Sequence, residues 1–450
     1  MSKKMHLAGF LMASPMTHSH AMWRHPRGAL NFLQPDFYAA IARAAERGFF
    51  DFVFFADVLA VPGRYGDDFR QALAVGAQTA AALDPSYVAL SMASATRHLG
   101  LGVTRSTTYY APYDIARAFG TLDHLTGGRI AWNVVTSNAD AEAQNFGFRQ
   151  HLEHESRYER ADEFLEATFG LWASWEPDAL VLDKQGLFAD PAKVHRTAHR
   201  GRWFDTAGPL TVPSSPQKRP AIMQAGSSSR GKEFAARWAE IIFEIDPTPE
   251  GRKAYYADVK GRLARYGRRP DDVKIFPSFI PFVGETETIA REKQAFHNEL
   301  ADPIAGLITL SAHFDHDFSR YSLDEPIRNV EVGGNHGLFD VAQRVTAKDN
   351  LTLRDLGKLY AQGVLLPQIA GTPSQIADQL EASIHNEEAD GFIVSAAYLP
   401  GSFEEFSDFV VPELQRRGLV RTRYEGTTLR DHLGLAPATL LPPSRVQAAE

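Results

Sequence analysis

The chain has 450 residues, enough for one large α/β barrel or two to three ordinary domains. Hydrophobic residues make up 44% and charged residues 23%, which excludes collagen-like and disordered classes, and the absence of cysteine excludes disulfides, thiolate metal sites and a cysteine nucleophile. A net charge of −8, from 47 Lys+Arg against 55 Asp+Glu without long single-sign runs, argues against the basic face of a nucleic-acid binder. Met5–Phe10 reads as a first β-strand rather than a leader peptide, since His6 interrupts a short apolar run that His18, His20 and Arg24 soon follow. Pro35 opens a helix with Phe37, Ile41, Ala44 and Ala45 on one stripe, ended by Gly48. Asp51–Phe55 is a compact aromatic strand. Helices over Ser86–His98 and Pro112–Leu125 alternate with strands over Leu99–Thr104 and Arg129–Val135. A long helix covers Ser156–Ser174, and Ser156-Arg157-Tyr158-Glu159 reads as its capping box.

The second half keeps the rhythm. Pro220–Gln224 and Glu240–Phe243 are strands around a short helix from Ser228; then come a strand (Val273–Val283), two helices (Thr286–Leu300, Pro373–His385), a strand (Gly391–Ser395) and a helix (Phe403–Arg417). Eight strands alternating with helices imply a parallel sheet, and the count favours a closed (β/α)8 TIM barrel over an open, doubly wound one. Such a barrel needs about 250 residues. The excess is assigned to insertions within a single domain spanning 1–450, near 59–84, 176–218 and 301–352, with an extended tail over the last dozen residues. No run approaches the ~18 apolar residues of a membrane-spanning helix, and a disulfide-free chain of this size is expected in the cytoplasm.

Chemistry in such a barrel sits at the C-terminal ends of the strands. Asp57, Thr104, Thr136, Ser137 and the turn Gln224-Ala-Gly-Ser-Ser228-Ser-Arg230-Gly fall there. The last is the clearest motif: free amides, hydroxyls and a cation ahead of a helix make an anion seat, although a serine there also serves as a plain N-cap. Among 16 histidines, His18, His20 and His25 cluster after the first strand. His151-x-x-His154 and His313-x-x-His316 lack the third ligand and the HExxH pattern, so no metal site is assigned. Phe10, Phe55, Trp132 and Phe243 lie on strands, either as core or as walls of a flat apolar pocket. No nucleophile elbow or Walker loop is present.

Taken together, MHLAGF, the loop ending His18-Ser-His20-Ala-Met-Trp-Arg-His-Pro, Phe55-Ala-Asp57, GRIAWNVVTS, NFG, LEHESRYERADEF and QAGSSSRG resemble the bacterial-luciferase-like flavin monooxygenases. The similar branch holds nitrilotriacetate, long-chain alkane and dibenzothiophene sulfone enzymes. FADPAKVH, ADGFIVSAAYLPGSFEEF and TLRDHLGL look most like the sulfone enzyme. The resemblance implies reduced FMN delivered by a separate NAD(P)H:flavin reductase, O2 as co-substrate, and a homodimer or homotetramer. It implies flavin contacts from Asp57, Thr104, His154, Tyr158 and Ser228, with Thr136 and Ser137 nearby and Arg230 helping with the phosphate. His20 and His313 would stabilise the peroxyflavin or shuttle a proton, and Phe10, Phe55 and Phe243 would line the substrate site. Ser14 stands where the alkane enzyme has cysteine, and no basic cluster suits a polyanion such as nitrilotriacetate, so an aromatic or organosulfur substrate is expected. The competing readings are a nitrilotriacetate-type C–N monooxygenase, a deazaflavin-dependent oxidoreductase, against which the Trp-Asn-Val-Val-Thr-Ser segment argues, and a flavin binder without turnover.

Overall fold

The computed structural model describes residues 4–326, 332 and 336–440. Eight parallel strands close a barrel: β1 (His6–Met12), β2 (Phe52–Ala56), β3 (Gly100–Ser106), β4 (Ile130–Val135), β5 (Ala221–Gln224), β6 (Ile241–Glu244), β7 (Lys274–Val283) and β8 (Gly391–Ser395). Each pairs with its successor, and β8 pairs with β1 to complete the ring. A further short strand, Gln368–Gly371, flanks only the outer end of β7, at Ile280–Val283; the sequence reading does not contain it. The residues of the expected tail from 441 onward lie outside the described ones.

Alternation along each strand divides the core in two. Ala8, Phe10, Phe52, Phe54, Ala131, Met223, Phe243 and Phe276 fill the barrel interior, and Leu429 and Leu433 plug its N-terminal end. Val53, Phe55, Leu101, Val103 and Trp132 face the surrounding helices. Both faces are thus dry, as parallel strands require, and each fully buried large side chain contributes roughly 1.5–3 kcal/mol.

Helices Pro35–Arg47, Pro112–Leu125 and Pro373–His385 form as read, each with proline in its first turn. Three readings need correction. The helix expected to reach His98 stops at Ser94, because the amides of Arg97, His98 and Leu99 all donate to the Glu46 carboxylate and draw the chain out of the helix. The long helix runs His154–Trp172, so Ser156 lies inside it and makes no capping box; Glu153 is the N-cap. The expected helix over 403–417 is interrupted by a π-turn at Phe406–Val410, just before Pro412, whose ring cannot continue a regular helix.

The described residues of 59–84 and 301–352 pack on each other above the barrel. Tyr65, Ala72 and Ala77 join Leu307, Phe314, Phe318, Leu338, Leu356 and Tyr360 in a separate apolar cluster. This superstructure roofs the C-terminal face, where the site lies.

Candidate active site

A cavity of about 650 Å³ opens at the C-terminal ends of the strands. One end is built on the turn after β5. Ser228 caps the helix Ser229–Trp238, its Oγ accepting from the Gly231 amide at 3.0 Å, which leaves the first-turn amides to meet an anion. Tyr158 and His154, one turn apart on the same helix, line this end, their rings 5.1 Å apart. Tyr158 is hydrogen-bonded to Ser228, and burial raises its pKa, so it remains a neutral phenol.

The cation at this end is not the expected one. Arg230 turns away from the cavity, its guanidinium 2.5 Å from Asp162 and 5.0 Å over the outer face of the Tyr158 ring. On a helix, consecutive residues point about 100° apart, and Asp162 and Glu155 draw Arg230 outward. Arg157 takes its place. It is buried on the cavity wall, one Nη donates to the Ser137 carbonyl, and Nε has no partner among the described residues. Ser137 itself adopts left-handed backbone (φ 52°) at the end of β4, an uncommon choice for serine that aims its carbonyl at Arg157.

Along the floor, the Thr104 hydroxyl donates to the Phe55 carbonyl at 2.7 Å and accepts from Asn133 Nδ2 at 2.9 Å. These bonds tie β2, β3 and β4 together, and Asn133 Oδ1 has no hydrogen-bond partner among the described residues. Thr136, Ser137 and Asp57 also line the cavity. Burial, reinforced by the nearby Asp84 and Glu142 charges and only partly offset by Arg105, pushes the Asp57 carboxyl up to about 7. Glu244, at the end of β6, has one carboxyl oxygen with no hydrogen-bond partner among the described residues, and burial and Asp246 drive its pKa well above its ordinary value.

The other end is walled by rings. Phe10 and His18 stack with centroids 3.7 Å apart. Phe243 lies 5.9 Å from His18 and within 8° of parallel to it, while Phe54 meets Phe10 edge-on at 5.5 Å. Phe55, expected here, points instead into the layer between barrel and helices; Phe54, one residue earlier, takes the inward position because strand neighbours face opposite sides. His20 likewise is off the cavity wall. It is buried against Thr309, with Nε2 3.3 Å from Oγ1, and its amide donates to the Ala361 carbonyl. The cavity-facing histidine of that loop is His18, whose Nδ1 lies 2.8 Å from Ser395 Oγ. His313 is on the wall as expected, with Nδ1 2.7 Å from the Tyr360 hydroxyl.

Burial, aided by mutual repulsion, holds His18 well below its usual pKa and brings His20 to about 3; burial alone brings His313 to about 4. All three are neutral at pH 7. His151 and His316, the other halves of the spaced pairs, lie at hydrogen-bonding distance from the hydroxyls of Tyr109 and Tyr321. Phe54, His18, Asn133, Arg157 and Glu244 are thus the site residues that sequence reasoning missed. A signal existed for Arg157, which directly precedes the selected Tyr158, and for His18, which was noted in its cluster.

A closed barrel whose mouth joins an anion seat to an uncharged, ring-walled chamber is built for a planar, phosphate-bearing cofactor beside an apolar substrate. The chain belongs to the luciferase-like monooxygenase family, whose family model matches residues 12–390. It is 50% identical over 442 residues to a dibenzothiophene-sulfone monooxygenase of Rhodococcus erythropolis (strain XP), covering 96% of this chain and 97% of that one. It is 43% identical to nitrilotriacetate monooxygenase component A of Aminobacter aminovorans, over 97% of both chains. The crystal structure of DmoA from Hyphomicrobium sulfonivorans superposes with a TM-score of 0.91 at 34% identity, covering 98% of this chain and 95% of that one. The protein is accordingly a flavin-dependent monooxygenase with O2 as its oxidant. Among the described residues no helix is long and apolar enough to cross a membrane.

Proposed function

We propose that the protein is the oxygenase component of a two-component system, which takes reduced FMN from a separate NAD(P)H:flavin reductase and oxygenates a flat aromatic organosulfur compound of the dibenzothiophene sulfone type. The observation that supports the substrate class is the aromatic wall of the cavity: Phe10, His18 and Phe243 stack on one another and offer a rigid ring system a flat, uncharged surface. The relatives that act on a sulfone and on nitrilotriacetate pull in different directions, and the charges lining the cavity support the sulfone reading. Its mouth carries Asp57, Asp67, Asp140, Glu142 and Asp315 against Arg64 and Arg157, and Arg64 is already paired with Asp315 at 3.3 Å. A polyanion would meet like charge there.

FMN fits the residues present. The Ser228 helix end, the Tyr158 hydroxyl and the unspent Nε of Arg157 would hold the phosphate. Asn133 Oδ1, Asp57, Thr104 and His154 would meet the ribityl chain and ring, with Thr136 and Ser137 beside them. Reduced FMN would supply the electrons with which one oxygen atom of O2 enters the substrate and the other leaves as water. The chain's own part is to orient and to exclude water. The roof of 59–84 and 301–352 covers the chamber. Neutral His18 and His313 offer ring nitrogens for hydrogen bonding or proton transfer without adding charge to the chamber, and His20 would act from behind the wall, through Thr309. We further propose a single barrel domain with insertions, acting in the cytoplasm as a homodimer or homotetramer, a state that light scattering reads directly.

The test is aerobic turnover with chemically reduced FMN and three substrates in turn: dibenzothiophene sulfone, metal-chelated nitrilotriacetate and a long-chain alkane. Ring-opened sulfinate from the sulfone alone is the expected result, with two reduced flavins consumed per sulfone, because opening the ring to a phenol and a sulfinate with one O2 takes up four electrons and releases one water. Turnover of nitrilotriacetate instead would overturn the substrate assignment, and flavin oxidation without any product would overturn the oxygenase role.

A further inference from the structure

The helices Pro303–Phe314 and Leu353–Gly363 touch backbone to backbone. A Cβ on Gly306 would stand 1.8 Å from the Gly357 carbonyl oxygen, and one on Gly357 would stand 2.7 Å from the Pro303 carbonyl oxygen. Residues three, four and seven apart share a helix face, so this close crossing brings Tyr360, three beyond Gly357, against His313, seven beyond Gly306. The Tyr360 hydroxyl lies 2.7 Å from His313 Nδ1, with the rings tilted at 69°. Tyr360 is fully buried, and among the described residues its hydroxyl has no other partner.

That bond has two possible directions. If Nδ1–H donated to the phenol, the phenol O–H would be left in a dry core without an acceptor. If the phenol donates to Nδ1, both atoms are satisfied. An unsatisfied buried donor disfavours the first arrangement by roughly one to two orders of magnitude. Nδ1 is therefore the acceptor, and a neutral imidazole then carries its one proton on Nε2, the nitrogen left to the cavity. Burial keeps Tyr360 protonated and His313 neutral, and the histidines near it, His18 and His20, are neutral as well. The other cavity histidine is not locked this way: His18 Nδ1 faces the Ser395 hydroxyl, which both donates and accepts.

We propose that Tyr360 is a positioning residue that locks His313 as its Nε2–H tautomer, so that His313 presents a hydrogen-bond donor to the ring-walled chamber and selects substrates bearing an acceptor oxygen, such as the oxygens of a sulfone. The tautomer lock stands on the geometry alone; its consequence for the substrate rests on the function proposed above.

Two measurements test it. In protein labelled with 15N-histidine, long-range nitrogen–proton correlations distinguish the tautomers, and the His313 signals are those lost in His313→Gln. Wild type is expected to show Nε2–H, and Tyr360→Phe to shift His313 towards a mixture. An Nδ1–H pattern in wild type overturns the proposal, whatever the variants do. The second measurement is anaerobic titration with dibenzothiophene sulfone and with dibenzothiophene, which has the same rings without the oxygens. Wild type is expected to prefer the sulfone at least tenfold and Tyr360→Phe less than threefold. An unchanged preference in Tyr360→Phe overturns the selective role. If wild type binds neither compound while the Nε2–H signal is present, the lock holds and the function reading fails by itself.

Discussion

The two ends of the cavity solve different problems by different means. The anion seat is local: Gly226 to Gly231 are contiguous, and the helix after them supplies amides by its own geometry. The ring-walled end is assembled from afar, with Phe10 on β1, Phe54 on β2, Phe243 on β6, His18 in a loop and His313 on a helix of the roof. The seat holds its cation ready, while the chamber keeps its histidines uncharged through burial. A phosphate seat recurs wherever a helix begins on a barrel's upper face. A substrate chamber depends on which residues the rest of the fold brings over it, and substrate choice is expected to vary there first.

The strongest way to break this comparison is at the helix crossing. Gly306→Val drives a branched side chain into the Gly357 carbonyl and is expected to cost about 3 kcal/mol or more. Thermal melts read the loss, and in whatever remains folded, sulfone binding should fall more than FMN binding. At the seat, Arg157→Met removes a charge-assisted contact of about 1.5–3 kcal/mol, so the FMN Kd is expected to rise by about ten- to a hundredfold in fluorescence titration. Arg230→Met, which removes outward pairs with Asp162 and Glu155 and a cation over the Tyr158 ring but no cavity-lining side chain, is expected to change it by less than about threefold. If the two variants behave the other way round, the assignment of the cation is wrong.

A smaller effect separates the two phenylalanines of β2. Phe54→Leu should raise the KM for the sulfone several-fold. Phe55→Leu should leave KM alone and cost about 1–2 kcal/mol of stability by leaving a void between barrel and helices. A pH effect at Asp57 is read without any ligand. Its carboxyl titrates near 7 in the fold against about 3.9 in an unfolded chain. Between those values the folded protein holds a proton that the unfolded chain has lost, so stability declines as pH rises through that window and levels off above 7. Asp57→Asn removes the slope. The melting temperature of the flavin-free wild type is therefore expected to fall relative to the variant between pH 5 and 7.5.

Much of this molecule was legible before the structure. The eight barrel strands lie where apolar runs meet turn residues, and several helix starts are marked by proline in the first turn. The Ser228 cap was readable because capping involves neighbours only three residues apart. What failed did so for identifiable reasons. Phe52-Val-Phe-Phe55 is apolar throughout, so no alternation says which residue faces inward. Arg157 and Arg230 both sit next to chosen residues, and only the position of Asp162 shows that one of them is already engaged. His18 and His20 are two residues apart in an irregular loop, where no period predicts direction.

The sequence by itself determined the barrel, the family and the Ser228 helix cap, because each rests on local patterns: period, caps and contiguous motifs. Only the tertiary structure decided which histidine, which phenylalanine and which arginine face the chamber, and it alone set Tyr360 against His313. Those choices depend on strand parity, on the burial of charge by distant segments, and on two glycines 51 positions apart in the chain that let two helices touch. No local rule carries that information, since it arises only when the segments pack.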